Sequence, residues 1–158
     1  CESGEMLTGW VCTNNKWYYC DEINGDWIDN TGTQMVQEAL KYVGNPYVYG
    51  GNSLVTGTDC SGYVKLISSQ FGIITPRTSA DQYAGSRLIN EAGLQPGDLV
   101  FYYNGSRVSH VAFYVGKINY NGVLYTRGIV HAYNPKDKIC VKLITHPGRP
   151  YGYGTYWR

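Results

Sequence analysis

Cys60 is the residue whose type and position best suit nucleophilic chemistry. It follows Asp59, a residue type that caps helices, and the apolar residues after it are spaced by three and four positions: Tyr63, Val64, Ile67 and Phe71. The pattern therefore predicts that Cys60 lies in the first turn of a helix. Unpaired N–H groups and the positive end of the helix dipole stabilise an anion there, so we expect the pKa of the thiol to fall from about 8.5 toward neutrality.

A buried structural cysteine is the commoner role for any single cysteine, but two histidines favour the catalytic interpretation. His110 and His131 each lie in an apolar run rich in β-branched residues, which is typical of a strand. A cysteine on a helix that faces histidines on strands has the geometry of a thiol–imidazole pair. By pattern alone His131 is better interpreted as a core histidine, and His146, which precedes Pro147, as a surface residue.

Side-chain alternation predicts how the first histidine strand meets the helix. His110 shares one face of its strand with Ala112 and Tyr114, and the apolar residues between them occupy the other face. If the His110 face packs against the helix that carries Cys60, the small side chain of Ala112 allows a close approach.

The composition argues against several classes of protein. With 158 residues and 43% hydrophobic content, the chain can bury one core, so we expect one main domain with at most a small appendage. A formal charge of +1 with 13 Lys+Arg leaves no basic stripe, which argues against a nucleic-acid partner. No apolar run is long enough for a transmembrane span, no signal peptide is recognisable, and no Cys-x-x-Cys pair indicates a metal site. We expect no cofactor and a monomeric protein.

Four cysteines remain once Cys60 is set aside as the nucleophile: Cys1, Cys12, Cys20 and Cys140. They could form two disulfides in three possible connectivities, which would fit an extracellular setting. Cys1 could instead be a lipid-attachment site that signal cleavage exposes.

Residues 1–32 have a composition of their own and predict a small aromatic β-hairpin. Two short aromatic strands flank an Asn14–Asn15 turn, and asparagine tolerates the positive φ of a tight hairpin turn. With a two-residue turn, Cys12 and Cys20 point to opposite faces and should not bond each other.

This hairpin resembles one glycine–tryptophan choline-binding repeat, through Thr8-Gly9-Trp10 and Lys16-Trp17-Tyr18-Tyr19. In that family, aromatic faces from adjacent repeats enclose a quaternary ammonium by cation–π attraction, so the resemblance implies contact with choline or a cell-wall polymer. A single hairpin is marginally stable and one repeat lacks neighbours, so packing on the following domain is the favoured interpretation.

The rest of the chain predicts helices followed by hairpin-linked strands. Thr31 and Gln34 have capping-box spacing before a first helix that ends at Gly44, the second helix ends at Gly72, and a short third helix follows Pro76. Strands are predicted at 99–103, 108–115, 129–133, 139–144 and 155–157. This order indicates an α+β fold in which N-terminal helices pack on an antiparallel sheet.

Taken together, these features resemble the NlpC/P60 family of papain-like cysteine peptidases, which are bacterial cell-wall hydrolases. The resemblance covers about residues 33–158, the expected catalytic domain, with 1–32 as a separate aromatic hairpin. It rests on six motifs in family order: Pro46-Tyr47-Val48-Tyr49-Gly50-Gly51, Asp59-Cys60-Ser61-Gly62, Pro76-Arg77-Thr78-Ser79, Pro96-Gly97-Asp98-Leu99-Val100, Ser109-His110-Val111 and Val130-His131-Ala132. It implies cleavage of the link between D-Glu and the diamino acid, L-Lys or meso-diaminopimelate, in peptidoglycan stem peptides.

Carried over position by position, the resemblance also implies a role for each site residue. Cys60 is expected to be the nucleophile, His110 the general base and His131 the residue that orients His110. The positions expected to shape the cleft or bind substrate are Tyr47, Asp59, Ser61, Arg77 and Ser79. The alternative for the aspartate and the arginine is structural, as a helix cap and its ion-pair partner.

Other functions remain open at this point. A related papain-like N-acetylmuramoyl-L-alanine amidase or an acyltransferase would keep both Cys60 and His110. A wall-binding module with an inert catalytic fold is a third possibility, against which the intact triad argues. The expected location is outside the cell, either secreted or associated with the wall.

Overall fold

Within residues 5–158, which the computed structural model describes, three α-helices pack against one face of a curled mixed β-sheet. The helices are α1 (Thr31–Leu40), α2 (Cys60–Ser69) and α3 (Ser79–Gly85). The strands are β1 (Gly9–Thr13), β2 (Lys16–Cys20), β3 (Trp27–Ile28), β4 (Asn52–Ser53), β5 (Gly57–Thr58), β6 (Arg87–Ile89), β7 (Leu99–Tyr103), β8 (Val108–Tyr120), β9 (Val123–Ala132), β10 (Ile139–Leu143) and β11 (Gly152–Thr155). The α+β prediction is confirmed.

The long strand β8 organises the sheet. Its first part pairs with β7, which continues to β11 and β6, and its opposite edge pairs with β9, which continues to β10. Past the last residue that pairs with β7, the same edge of β8 pairs with β1. This pairing is parallel and places Trp10 opposite Ile118. The sheet is therefore mixed rather than purely antiparallel, because the N-terminal hairpin extends it.

The main core lies between the helices and the sheet face that carries Val111 and Phe113. The ring of Tyr63 on α2 contacts Phe113 edge to face, with 5.9 Å between ring centroids. Ala112 lies in a smaller cluster on the opposite face, together with Tyr102. Helix α2 therefore packs on the Val111 and Phe113 face, whose larger apolar side chains offer more area to bury, so the condition under which Ala112 would allow a close approach is not met.

Several element boundaries differ from the sequence-based prediction. Helix α1 is capped by Asn30 rather than Thr31. The Asn30 side chain accepts the backbone N–H of Thr33, and the Thr33 hydroxyl accepts the backbone N–H of Asn30. This helix ends at Leu40, one turn before Gly44. Strand β9 begins six residues earlier than predicted, at Val123, because the hairpin with β8 is longer than the apolar run. The last strand lies at 152–155 instead of 155–157.

The N-terminal hairpin has the predicted register and is built into the domain. Asn14 and Asn15 have φ of 51° and 59°, and Cys12 lies opposite Trp17. Trp10 is only 5% exposed and its indole N–H donates to the carbonyl of Val115 at 2.7 Å. The hairpin thus packs on the following domain, although whether 1–32 forms a separate unit stays a prediction.

The cysteines of the described part of the chain are all unpaired, so none of the disulfides considered among them is present: Cys12, Cys20, Cys60 and Cys140. The expectations for Cys1 lie outside the described residues. Among residues 5–158, none of the helices combines the length and apolar character needed to span a bilayer.

Candidate active site

Cys60 is the first residue of α2, as predicted, and its thiol lies against the backbone of β8. The side chain of Asp59 caps the helix by accepting the N–H of Gly62 at 2.9 Å. The backbone N–H of Val111 acts on the Cys60 thiol by lowering its pKa, and Ser109 lines a cleft that Cys60 also lines. Cys60 therefore faces the stretch of β8 in which His110 lies between those two residues.

The surroundings of the Cys60 thiol raise its pKa, whereas its position at the start of a helix was expected to lower it. Burial raises its pKa to about 11, and the nearby Asp59 carboxylate raises it further. The backbone N–H groups of Val111, Ser61 and Cys60 itself lower the pKa of the thiol, but they do not compensate for burial. The predicted lowering of the thiol pKa is therefore wrong, and the resting side chain is a neutral thiol.

His110 and His131 form a directly bonded imidazole pair. Nε2 of His110 and Nδ1 of His131 are 2.7 Å apart, and the ring centroids are 5.0 Å apart at a steep angle. Because Nε2 of His110 is engaged in this way, Nδ1 is the ring nitrogen of His110 that remains available for another partner. The structure therefore brings together the two histidines that lie on neighbouring strands β8 and β9.

Both imidazoles are held in the neutral form. Burial, followed by repulsion from the charge that His146 can carry, lowers the pKa of His110 from 6.5 to about 4. Burial, followed by repulsion from His110 and His146, lowers the pKa of the fully buried His131 well below 6.5. A neutral imidazole can accept a proton from a neutral thiol, which is what a general base requires.

A cleft of about 500 Å³ opens beside Cys60, and the five predicted substrate-binding residues all line it: Tyr47, Asp59, Ser61, Arg77 and Ser79. Tyr47 is held there because residues 46–48 run beside β5, with Val48 and Thr58 sharing a backbone hydrogen bond of 3.1 Å. Burial, then the proximity of Cys60 and Asp59, raises the pKa of the Tyr47 hydroxyl. Ser79 is tied to β8 through the carbonyl of Val108 at 3.3 Å.

Asp59 and Arg77 form a two-point ion pair in the wall of the cleft. Nη1 and Nη2 of Arg77 lie 2.9 and 3.1 Å from the two carboxylate oxygens of Asp59. Asp59 also accepts the N–H groups of Gly62 and Gly50, while Arg77 donates to the Ser61 hydroxyl at 3.0 Å. Burial raises the Asp59 pKa, but these hydrogen bonds outweigh it, so the net pKa lies below 3.8.

Two residues that the sequence did not single out also belong to this region. Arg107 lines the cleft from the β7–β8 turn, which brings a second cation to the site. His146, expected on the surface, is indeed exposed, but its ring lies 5.8 Å from that of His131. Neither sits in a recognisable motif, so only the fold reveals their position. Among the described residues, no group of three or more His, Cys, Asp or Glu side chains could hold a metal ion.

Comparison with known proteins shows the family of the chain. The model of the NlpC/P60 family matches residues 44–147. The chain belongs to the NlpC/P60 family. A probable endopeptidase p60 from Listeria monocytogenes is 48% identical over 96 residues, which are 58% of this chain and 20% of that protein.

Two further relatives complete the comparison. The bifunctional muramidase/DL-endopeptidase CwlT of Bacillus subtilis is 44% identical over 85 residues, or 52% of this NlpC/P60 chain and 26% of CwlT. The structure of the peptidoglycan hydrolase RipB from Mycobacterium tuberculosis superposes with a TM-score of 0.63 at 28% identity, over 83% of this chain and 69% of that one. The chain spans about a fifth to a quarter of the length of these curated relatives.

Proposed function

We propose that this chain is the catalytic part of a peptidoglycan hydrolase, a cysteine endopeptidase that cuts the D-glutamyl–diamino acid bond of stem peptides. The observation that carries the proposal has two parts: the bonded His110–His131 pair, and a thiol at a helix start that lines a cleft with all five expected substrate residues and lies near the backbone of Val111, next to His110. The family membership and the DL-endopeptidase name of one relative support the type of bond.

The neutral resting state fits general-base catalysis. As the sulfur of Cys60 attacks the scissile carbonyl, Nδ1 of His110 takes the thiol proton, and the imidazolium then protonates the leaving amine. A water molecule next gives a proton to the same nitrogen and hydrolyses the acyl-enzyme, which restores the thiol. His131 holds His110 in position through the 2.7 Å bond and stabilises its transient charge.

The cleft offers both signs of charge to the substrate. Tyr47 and the ionised Asp59 lie where an N-terminal ammonium of L-Ala could bind, and Arg107 and Arg77 are candidates for the D-Glu carboxylate. The Asp59 carboxylate already accepts five hydrogen bonds, so a purely structural role for its pair with Arg77 is the competing possibility. We expect short stem peptides that begin with free L-Ala-D-Glu to be cut after D-Glu.

Mass analysis of digested stem peptides tests this proposal. We expect a free tetrapeptide to be cut between D-Glu and the diamino acid, and the Cys60→Ala variant to fold normally without turnover. His110→Ala should lose activity similarly, and His131→Ala less, as for an orienting group.

Release of intact stem peptides from the sugar would instead indicate an amidase, and turnover by Cys60→Ala would contradict the mechanism. Equal kcat/KM for free and N-acetylated tetrapeptides would show that no amine is bound.

The proposed activity also implies a location for the protein. A wall hydrolase of this kind acts outside the cell, and we propose that the protein is secreted and monomeric.

The aromatic hairpin forms one side of a second cleft of about 310 Å³ with α1, lined by Trp17, Tyr18 and Trp27. Contact of this cleft with choline or a wall polymer would appear as a change in tryptophan fluorescence on titration, which Trp27→Ala should reduce. Unchanged fluorescence would leave the hairpin with a packing role alone.

A further inference from the structure

The buried histidine of the imidazole pair has one ring nitrogen without a partner. Nδ1 of His131 contacts His110, whereas Nε2 of this fully buried side chain has no hydrogen-bond partner. If His110 is to accept a proton at Nδ1, it must donate its Nε2 proton to His131. His131 then carries its own proton on Nε2, and a buried N–H group without an acceptor is unfavourable.

His146 lies beside the ring of His131. Its ring centroid is 5.8 Å from that of His131, with the rings almost perpendicular, and 4.7 Å from that of Tyr133. Tyr133 stacks on a face of His131, with 4.9 Å between ring centroids. The Tyr133 ring therefore contacts both histidines. His146 is exposed, and a neutral imidazole has a lone pair that can accept a hydrogen bond.

We propose that His146 is a positioning residue of the active site, whose neutral ring accepts the Nε2 proton of His131. In this arrangement a chain of imidazoles runs from the surface at His146 through His131 to His110, and each ring fixes the tautomer of the next. The proposal rests on the proposed roles of Cys60 and His110.

Protonation of His146 removes this support. A protonated imidazole has no lone pair, so it cannot accept from His131, and it adds a positive charge beside the pair that must take the Cys60 proton. The titratable groups around the cluster are Tyr102 on β7, His110 on β8, Tyr133 directly after β9 and Lys142 on β10. Repulsion from His146 also lowers the pKa of both His110 and His131, which makes it harder for the pair to take up the Cys60 proton.

Two substitutions separate hydrogen bonding from packing. His146→Phe keeps an aromatic ring against Tyr133 but has no acceptor, whereas His146→Gln keeps an acceptor and cannot be protonated. With the full chain and a stem tetrapeptide, we expect the phenylalanine variant to lose roughly 5- to 100-fold in kcat at pH 7.5 with little change in KM. The glutamine variant should retain most of kcat, and its acid limb should lie at lower pH than that of the wild type.

The neighbouring exposed Thr145 supplies a matched control, since Thr145→Phe should leave kcat and the pH profile unchanged. Wild-type kcat in His146→Phe, or identical acid limbs in the wild type and His146→Gln, would overturn the proposal.

A measurement without peptide substrate distinguishes failure of this inference from failure of the proposed function. The ¹⁵N chemical shifts of the His131 ring report which nitrogen carries the proton. We expect the Nε2–H form in the wild type and in His146→Gln, and a changed tautomer population in His146→Phe. If no variant cleaves stem peptides but this pattern is found, the proposed substrate is wrong and the role of His146 stands. An identical His131 tautomer in all three proteins would contradict that role.

Discussion

The ionisation of Cys60 is decided at the scale of single residues by burial, not by its place in the helix. Because burial raises the thiol pKa to about 11, only a small fraction is thiolate at neutral pH. We expect the rate of Cys60 alkylation by iodoacetamide in the His110→Ala variant to rise about tenfold per pH unit between pH 7 and 10. Peptide mapping by mass measures this rate, with the exposed Cys12 as internal reference. A rate that levels off near pH 7 would instead indicate the thiolate expected from the helix dipole.

The sequence could single out the candidate catalytic residues but not their electrostatics. Cys60 and His110 are predictable because each lies in a short motif with local periodicity around it. The sign of the Cys60 pKa shift depends on how much protein covers the thiol, which is a property of tertiary packing. His146 reaches His131 only because the loop after β10 folds back over β9, and no sequence signal marks that contact.

At the scale of elements, the start of α2 depends on the absence of a side chain at Gly62. A Cβ there would lie 2.5 Å from the Thr58 hydroxyl and 2.9 Å from the carbonyl of Gly51. Alanine would favour the helix by about 1 kcal/mol, but the crowding costs about 1–3 kcal/mol and displaces the loop that holds Cys60. We therefore expect Gly62→Ala to lower both the free energy of unfolding and kcat.

Gly93 provides the control for that substitution. It lies in a short 3₁₀ helix, where an added Cβ would meet only the Asn90 side chain at 3.4 Å. Denaturant unfolding and steady-state kinetics of Gly62→Ala and Gly93→Ala measure the difference. If Gly62→Ala were as stable and active as Gly93→Ala, close packing would not be what requires glycine at the start of α2.

The elements themselves were predictable wherever local patterns decide them. The Asn14–Asn15 turn fixed the hairpin register, and Asp59 with Cys60 marked the start of α2 correctly. The pairing of β1 with β8 and the face of β8 that α2 covers were not predictable. Both depend on which apolar surfaces meet across long sequence separations, and alternation alone cannot choose between two faces.

At the scale of the whole molecule, the neutral buried histidines make stability depend on pH. The pKa of His110 falls from 6.5 in the unfolded chain to about 4 in the folded protein, so the unfolded state binds more protons between these values. The stability is fully present above pH 6.5 and is lost as the pH falls toward 4, by roughly 3 kcal/mol from this residue. The lowered pKa of His131 acts in the same direction.

Urea unfolding at pH 7.5, 6, 5 and 4 measures this loss. We expect the His110→Asn variant to lose less stability between pH 6.5 and 4 than the wild type, because the residue no longer titrates. Parallel curves for the two proteins would show that His110 does not resist protonation in the folded state.

The N-terminal hairpin should unfold together with the rest of the molecule. Trp10 is 5% exposed, belongs to the same core cluster as Phe113 and donates to Val115, whereas Trp27 is 64% exposed. We expect Trp10→Ala to lower the free energy of unfolding by about 3–5 kcal/mol in one cooperative transition, and Trp27→Ala to change it by less than about 0.5 kcal/mol. Circular dichroism during denaturant unfolding measures both. A separate early transition in Trp10→Ala, with the main transition unchanged, would instead show that 1–32 is an independent unit, as its composition alone suggested.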